Sequence, residues 1–350
     1  MHDDMRSNTK IRVAAIFLFI LWKQLAVAQA VFTVDGFAKE YYGKMEISDT
    51  TEVFSKGLIA IYDKKTDQRI IKVVSDELTF PLHNGKVVDN IKSFPYGEQS
   101  SIMYEDFNFD GNKDFAIMDG QNSCYHGPSY RIYLAADKGF SFNEAFTRLA
   151  QEYCGMFEVD HDQKKIYTMT KSGCCWHELS EFIVKNNKPF ATKITFVDNY
   201  LPFEIITEQT WNGKTMVKKT TKTIDLDQEG IKLILSFIIP KNSKKVVLYN
   251  INDRTLNYAL VRKDNTVEFD YPVESAYQHP DFEFDRTPDN RSVIFSNKNA
   301  TYKIYDKPTK LGIEITVDGK IHHMSGSYET KTGGLDRLLN VQFDNVVYQH

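Results

Sequence analysis

The chain has 350 residues, enough for two domains of ordinary size. Hydrophobic residues make up 42% of it and charged residues 26%, which excludes an intrinsically disordered chain. A formal net charge of -4 gives no electrostatic reason to bind nucleic acid or an anionic membrane. The 24 Phe and 19 Tyr, many beside Val, Ile or Thr, favour strands over helices.

Residues 1–30 read as a secretory signal peptide. Arg6, Lys10 and Arg12 precede the apolar run from Val13 to Trp22, and Ala26-Val27-Ala28 and Ala28-Gln29-Ala30 offer small-x-small cleavage sites. The run is too short to span a bilayer of roughly 30 Å, and Lys23 follows it. The expected location is therefore periplasmic, with cleavage near Ala28 or Ala30 and no membrane insertion afterwards. Loss of this segment moves the net charge to -6.

From residue 31 onward short apolar strands alternate with polar turns. Residues 57–62 and 69–74 flank Asp63-Lys-Lys-Thr-Asp67 as a hairpin. Phe142, Phe146, Leu149 and Tyr153 recur at helical spacing after Ser141 or Asn143, which predicts one short helix. The polar run at 240–245 marks a boundary between a domain at 31–240 and another at 241–350. Beyond it the strands continue, with Asp318-Gly319 as a turn. The expected class is all-β: a propeller-like antiparallel sheet domain followed by a small barrel or sandwich.

All four cysteines, Cys124, Cys154, Cys174 and Cys175, follow the signal. An even number in an oxidising compartment predicts disulfides. A bond between the neighbours Cys174 and Cys175 would strain the backbone, so each is expected to pair with Cys124 or Cys154. Which pairs with which stays open.

The segment Asp-Phe-Asn-Phe-Asp-Gly-Asn-Lys-Asp at 106–114 has the pattern of a calcium loop. Calcium takes six to eight oxygen ligands at about 2.3–2.6 Å. Asp106, Asn108 and Asp110 stand at positions one, three and five, and Gly111 allows the sharp turn. The carbonyl of Asn112 serves position seven, and Asp114 closes the loop at position nine. Position twelve would be Ile117, so this is a shorter variant than an EF-hand. Residues 281–289 echo the spacing, but Arg286 replaces the glycine, and a turn is expected there.

From the loop onward the chain resembles a family. The residues are Tyr104-Glu-Asp-Phe-Asn-Phe-Asp-Gly-Asn-Lys-Asp-Phe-Ala-Ile117, Tyr125-His-Gly-Pro-Ser-Tyr-Arg-Ile-Tyr133, Gly155-Met-Phe-Glu-Val-Asp160 and Ser172-Gly-Cys-Cys-Trp-His177. Together they look like the calcium-binding periplasmic immunity proteins of bacteria that kill rivals through contact-dependent secretion. The resemblance implies a protein that inhibits lysozyme-type peptidoglycan hydrolases. Ser325-Gly-Ser-Tyr328, with Lys331 behind it, is also similar to a Ser-Gly-x-x-Tyr segment of barrel-type lysozyme inhibitors.

Such hydrolases work with a pair of carboxylates in a cleft, so an inhibitor needs a rigid loop carrying donors and aromatic surface. Tyr125, His126, Ser129 and Tyr130 around the Gly127-Pro128 turn are the expected partner-binding residues. Catalysis is not expected. The cysteines would oxidise on export, and the chain has no G-x-S-x-G, H-E-x-x-H or phosphate-binding glycine loop. A non-inhibitory module that binds peptidoglycan or another envelope glycan is the alternative.

Overall fold

A computed structural model describes residues 30–79, 82–83, 86–87, 89, 100–272 and 280–349. The signal-peptide expectation therefore lies outside the described residues, apart from Ala30. Among the described residues no helix is long and apolar enough to cross a membrane.

The backbone divides into two compact units, Met1–Lys171 with Leu179–Thr192, and Ser172–Glu178 with Lys193–His350. The first unit contains two four-stranded sheets. One runs in chain order through β1 (Ala30–Val34), β2 (Tyr41–Ile47), β3 (Ser55–Asp63) and β4 (Arg69–Leu78). The expected hairpin is its β3–β4 pair, closing at Tyr62 opposite Arg69. Alternation explains its packing: Ile71, Val73 and Ser75 point inward while Lys72, Val74 and Asp76 point to solvent. Two short strands, β5 (Leu82–His83) and β6 (Lys86–Val87), pair with each other.

The second sheet holds β7 (Ile102–Glu105), β8 (Asp114–Ser123), β9 (Gly127–Ala136) and β10 (Gly139–Phe142), in the order β10-β9-β8-β7. Nearly every residue of β8 is buried, so this strand is covered on both faces. The predicted helix is present as α1 (Glu144–Leu149), shorter than its apolar spacing suggests. Asn143 caps it by accepting from Phe146 N at 3.1 Å. Phe146 and Leu149 are buried in the core of this unit with Met45, Ile59, Phe107, Phe115 and Tyr130.

A third sheet runs in chain order through β11 (Glu158–Asp160), β12 (Lys165–Ser172), β13 (Trp176–Lys185), β14 (Lys188–Tyr200), β15 (Phe203–Trp211) and β16 (Met216–Ile224).

The second unit continues with β17 (Ile231–Ile239), β18 (Lys244–Ile251), β19 (Thr255–Val261), β20 (Val267–Tyr271), β21 (Phe282–Asp285), β22 (Ser292–Asn297), β23 (Ala300–Lys307), β24 (Lys310–Val317), β25 (Lys320–Ser325), β26 (Thr332–Gly333) and β27 (Val346–Gln349). They form a five-stranded sheet, β20-β19-β18-β17-β26, and a six-stranded one, β25-β24-β23-β22-β21-β27. Phe237, Leu248, Tyr258, Phe284, Phe295 and Leu335 are buried together between their strands. The cross-strand pair Phe295–Tyr302 stacks at 4.8 Å, the type of contact that holds a sheet face in register.

The all-β class with one short helix therefore stands, and among the described residues no sheet closes into a barrel. The polar segment at 240–245, expected to separate domains, is the turn of the β17–β18 hairpin, inside the second unit. A polar hairpin turn and an interdomain linker have the same composition, so composition alone does not separate them.

Candidate functional site

The loop at 106–114 connects β7 to β8, and its side chains are turned onto its own backbone. Asp106 accepts from Asp110 N at 3.2 Å and from Gly111 N at 2.8 Å. Asp110 accepts from Asn112 N at 2.7 Å and from Asn108 Nδ2 at 2.9 Å. Asn108 Nδ2 also donates to Asn187 Oδ1 at 3.2 Å, and its own Oδ1 accepts from Asp110 N at 3.3 Å. Gly111 sits at φ +90°, a conformation that glycine adopts without steric cost. Phe107 is fully buried edge-on to Phe157 at 5.4 Å and anchors the loop in the core.

Asp114 behaves differently from the other loop residues. It is fully buried, and its two oxygens accept from Phe107 N and Ala135 N, each at 2.8 Å. It thereby ties the start of the loop to the end of β9. Burial, with help from the nearby carboxylates of Asp110 and Asp106, raises its pKa to about 6, against the pull of the two backbone donors. The oxygens that could ligate a hard cation are the side chains of Asp106, Asn108 and Asp110 and the carbonyl of Asn112. Among the described residues neither Asp106 nor Asp110 has an ion-pair partner. Nor do three or more His, Cys, Asp or Glu side chains converge there as a ready-made metal cage.

At the other end of β8 the chain makes a tight turn, Cys124–His126, before β9. Tyr125 and His126 both adopt left-handed backbone angles, φ +52° and +59°. Two consecutive non-glycine residues there are costly and persist only where the surroundings enforce them. Here the enforcement is visible. Cys124 is bonded to Cys154. Ser129 Oγ donates to the buried Asp119 at 2.6 Å and accepts from Asn122 N and Nδ2 at 3.1 Å. Gln151 Nε2 donates to the second Asp119 oxygen at 2.7 Å, and Arg131 approaches it at 3.4 Å.

This support pushes Tyr125 into solvent, where it is 58% exposed, with Lys171 Nζ 5.4 Å from its ring centre. His126 lies 3.3 Å from Glu77 and edge-on to Phe54 at 4.9 Å. Phe54 and its neighbour Val53, 43% and 74% exposed, extend the apolar tip. The sequence reading missed both, although an apolar pair within the polar run 48–56 is an available signal.

Ser129 and Tyr130 require a correction as partner-binding residues. Both are fully buried. Tyr130 donates its hydroxyl to Ser100 O at 3.0 Å, and burial pushes its phenol far above the usual range. They occupy β9, where each faces protein, so only Tyr125 and His126 of the expected set reach solvent.

The cysteine expectation is corrected as well. Cys124 pairs with Cys154, and Cys174 pairs with its neighbour Cys175 in the turn before β13. Cys124 and Cys154 lie 4.7 Å apart at Cα, which leaves neither for the β12–β13 turn.

The Ser325-Gly-Ser-Tyr328 segment is packed against its own unit. Tyr328 donates to Lys307 O at 2.7 Å, and Lys331 pairs with Asp306 at 2.6 Å. A Cβ on Gly326 would stand 2.4 Å from the ring of Phe237, a fully buried side chain. Gly326→Ala is therefore expected to lower stability by about 1–3 kcal/mol, read as a fall in the urea midpoint at unchanged slope. An unchanged midpoint would show that the ring yields freely. Of residues 281–289, expected to be a turn, Phe282–Asp285 instead form β21, and the chain turns only after it, with Asp285 accepting from Thr287 N at 2.9 Å and Asn290 Nδ2 at 2.8 Å.

No family model matches this sequence, and no curated protein does. Among solved structures, a Xanthomonas type IV secretion system related protein aligns over 56% of this chain and 95% of its own, at 18% identity and a TM-score of 0.41. A prolyl endopeptidase structure aligns over 85% of this chain and 42% of its own, at 5% identity and a TM-score of 0.24. A putative 6-phosphogluconolactonase from Bacteroides uniformis ATCC 8492 aligns over 87% and 85%, at 8% identity and a TM-score of 0.20. At these scores none of the likenesses carries an argument about this chain.

Proposed function

We propose that this chain is an exported immunity protein that binds and inhibits a lysozyme-type peptidoglycan hydrolase through the tip formed by Tyr125 and His126. The observation that carries this reading is the strained, cross-braced turn at 124–126. A protruding aromatic held by a disulfide and a buried carboxylate network loses little entropy on binding. Tyr125 supplies the contact area typical of an interface anchor, and the exposed Phe54 packs on the adjacent His126. His126 and the Lys171 ammonium supply donors for the paired carboxylates of a glycosidase cleft.

A calcium ion at Asp106, Asn108, Asp110 and the Asn112 carbonyl belongs to the same proposal. Oxygen-only donors suit a hard cation, and the negative charge of Asp106 and Asp110, which have no ion-pair partner among the described residues, favours one. Held there, the ion would stiffen the chain entering β8, the strand that leads to the tip.

The test is the rate at which a panel of lysozyme-type hydrolases clears a peptidoglycan suspension, with and without the mature protein. Stoichiometric inhibition is expected, weakened at least about tenfold by Tyr125→Ala and less by Phe54→Ala. Calcium should raise the melting temperature, and Asp106→Ala with Asp110→Ala should abolish that rise. If no enzyme is inhibited and the protein instead sediments with purified cell wall, a glycan-binding module replaces this reading.

A further inference from the structure

We propose that the outer edge of β16 is a docking site for an extended, acidic segment of another protein, which adds to the third sheet as a further strand. This proposal does not rest on the inhibitory reading, because β16 lies in the second unit and the Tyr125 tip in the first.

β16 is the last strand of its sheet. Its pairing with β15 is continuous from Trp211 opposite Met216 to Phe203 opposite Ile224. On its other side it makes one bridge, Thr223 to Thr266, at its base. Among the described residues no strand pairs with its outer edge from Met216 to Lys222. An antiparallel edge strand presents unpaired N–H and C=O groups along that side, the template for strand addition.

The charge on this edge selects the occupant. Lys218 and Lys219 are exposed, as is Lys214 in the preceding turn, and among the described residues none of the three has an ion-pair partner. Glu208, opposite Lys219, is bonded to Lys193 at 2.8 Å and feels Lys219 only as a weaker, more distant charge. Lys222 is likewise engaged by Asp270 at 2.7 Å. The edge is thus locally cationic on a chain whose net charge is -4. Val217, 49% exposed, adds apolar surface beside it.

Lysines on an edge also deter self-pairing. A second copy added antiparallel about the middle of β16, Thr220, would set Lys218 of each copy opposite Lys222 of the other, which is unfavourable. A planar anionic surface fits less well. Lys218 and Lys219 are successive, so they project to opposite faces of the sheet and a plane meets only one of them. An adjacent strand with acidic residues at successive positions meets both.

The test uses the mature full chain and a fluorescein-labelled nonapeptide, Thr-Val-Thr-Glu-Glu-Val-Thr-Val-Thr, with a counterpart carrying Lys-Lys in place of Glu-Glu. The Glu-Glu peptide is expected to bind at least about tenfold more tightly, a difference that shrinks as salt rises. Bound peptide should slow amide hydrogen exchange at 216–222. The double variant Lys218→Glu/Lys219→Glu, checked by its melting curve to be folded, should reverse the preference. Equal binding of both peptides, no binding at low salt, or protection confined to other segments would overturn the proposal. So would attachment to phosphatidylglycerol vesicles without any peptide preference, or a dimer formed through this edge.

Discussion

Replacing Asp114 with Ala is expected to lower the unfolding free energy by about 2–5 kcal/mol, measured by urea denaturation in the presence of chelator. Asp114 is fully buried and accepts from two backbone N–H groups on different strand ends, Phe107 and Ala135. Alanine leaves both donors buried, and each unsatisfied group costs roughly 1–3 kcal/mol. Asp114→Asn keeps one acceptor oxygen but turns an amide N–H toward the other donor, so it should recover no more than part of the loss. Chelator removes stabilisation by a bound ion from the comparison. The measured difference then reports the lost hydrogen bonds, offset by relief from burying a carboxylate beside Asp110 and Asp106. A loss below about 1 kcal/mol would mean that the loop finds other acceptors for these amides.

The double variant Cys124→Ser/Cys154→Ser is expected to cost about 3–4 kcal/mol, by the loop-closure entropy of a bond spanning 30 residues. It should also weaken hydrolase inhibition, because the turn that projects Tyr125 loses one of its two braces. Removing the other bond, by Cys174→Ser/Cys175→Ser, should change stability by less than about 1 kcal/mol, since neighbours one residue apart enclose almost no loop. Urea midpoints of the two double variants, compared with the parent, decide the point. If both variants lose the same stability, the entropic account of the Cys124–Cys154 bond fails here.

Local features were the most legible in the sequence. The β3–β4 hairpin and the Asp318-Gly319 turn follow from apolar alternation broken by residues that tolerate turn geometry, with both turn residues at positive φ. The helix is legible in its spacing and in Ser141 or Asn143 as cap candidates, of which Asn143 serves, although it stops at Leu149 rather than continuing to Tyr153. The candidate site was legible in part. The 106–114 segment is a tight loop at the start of β8, with Asp106 and Asp110 hydrogen-bonded to its own amides. The role of Asp114 as a tie to Ala135, 21 residues on, had no local sign.

What the sequence by itself determined is therefore whatever depends on neighbours a few residues apart: strand period, turn chemistry, the helix cap and the acidic loop. Tertiary structure decided which side of each strand meets other protein. Tyr125 and Tyr130 belong to one short segment, yet one is 58% exposed and the other fully buried. The difference arises because irregular pairing at Gly120 and Ser123 resets the strand register, and because the core of the first unit closes over β9. The cysteine pairing was decided in the same way. Proximity of Cys124 to Cys154 is a property of how β8 and the chain after α1 come together, and no spacing in the sequence encodes that distance.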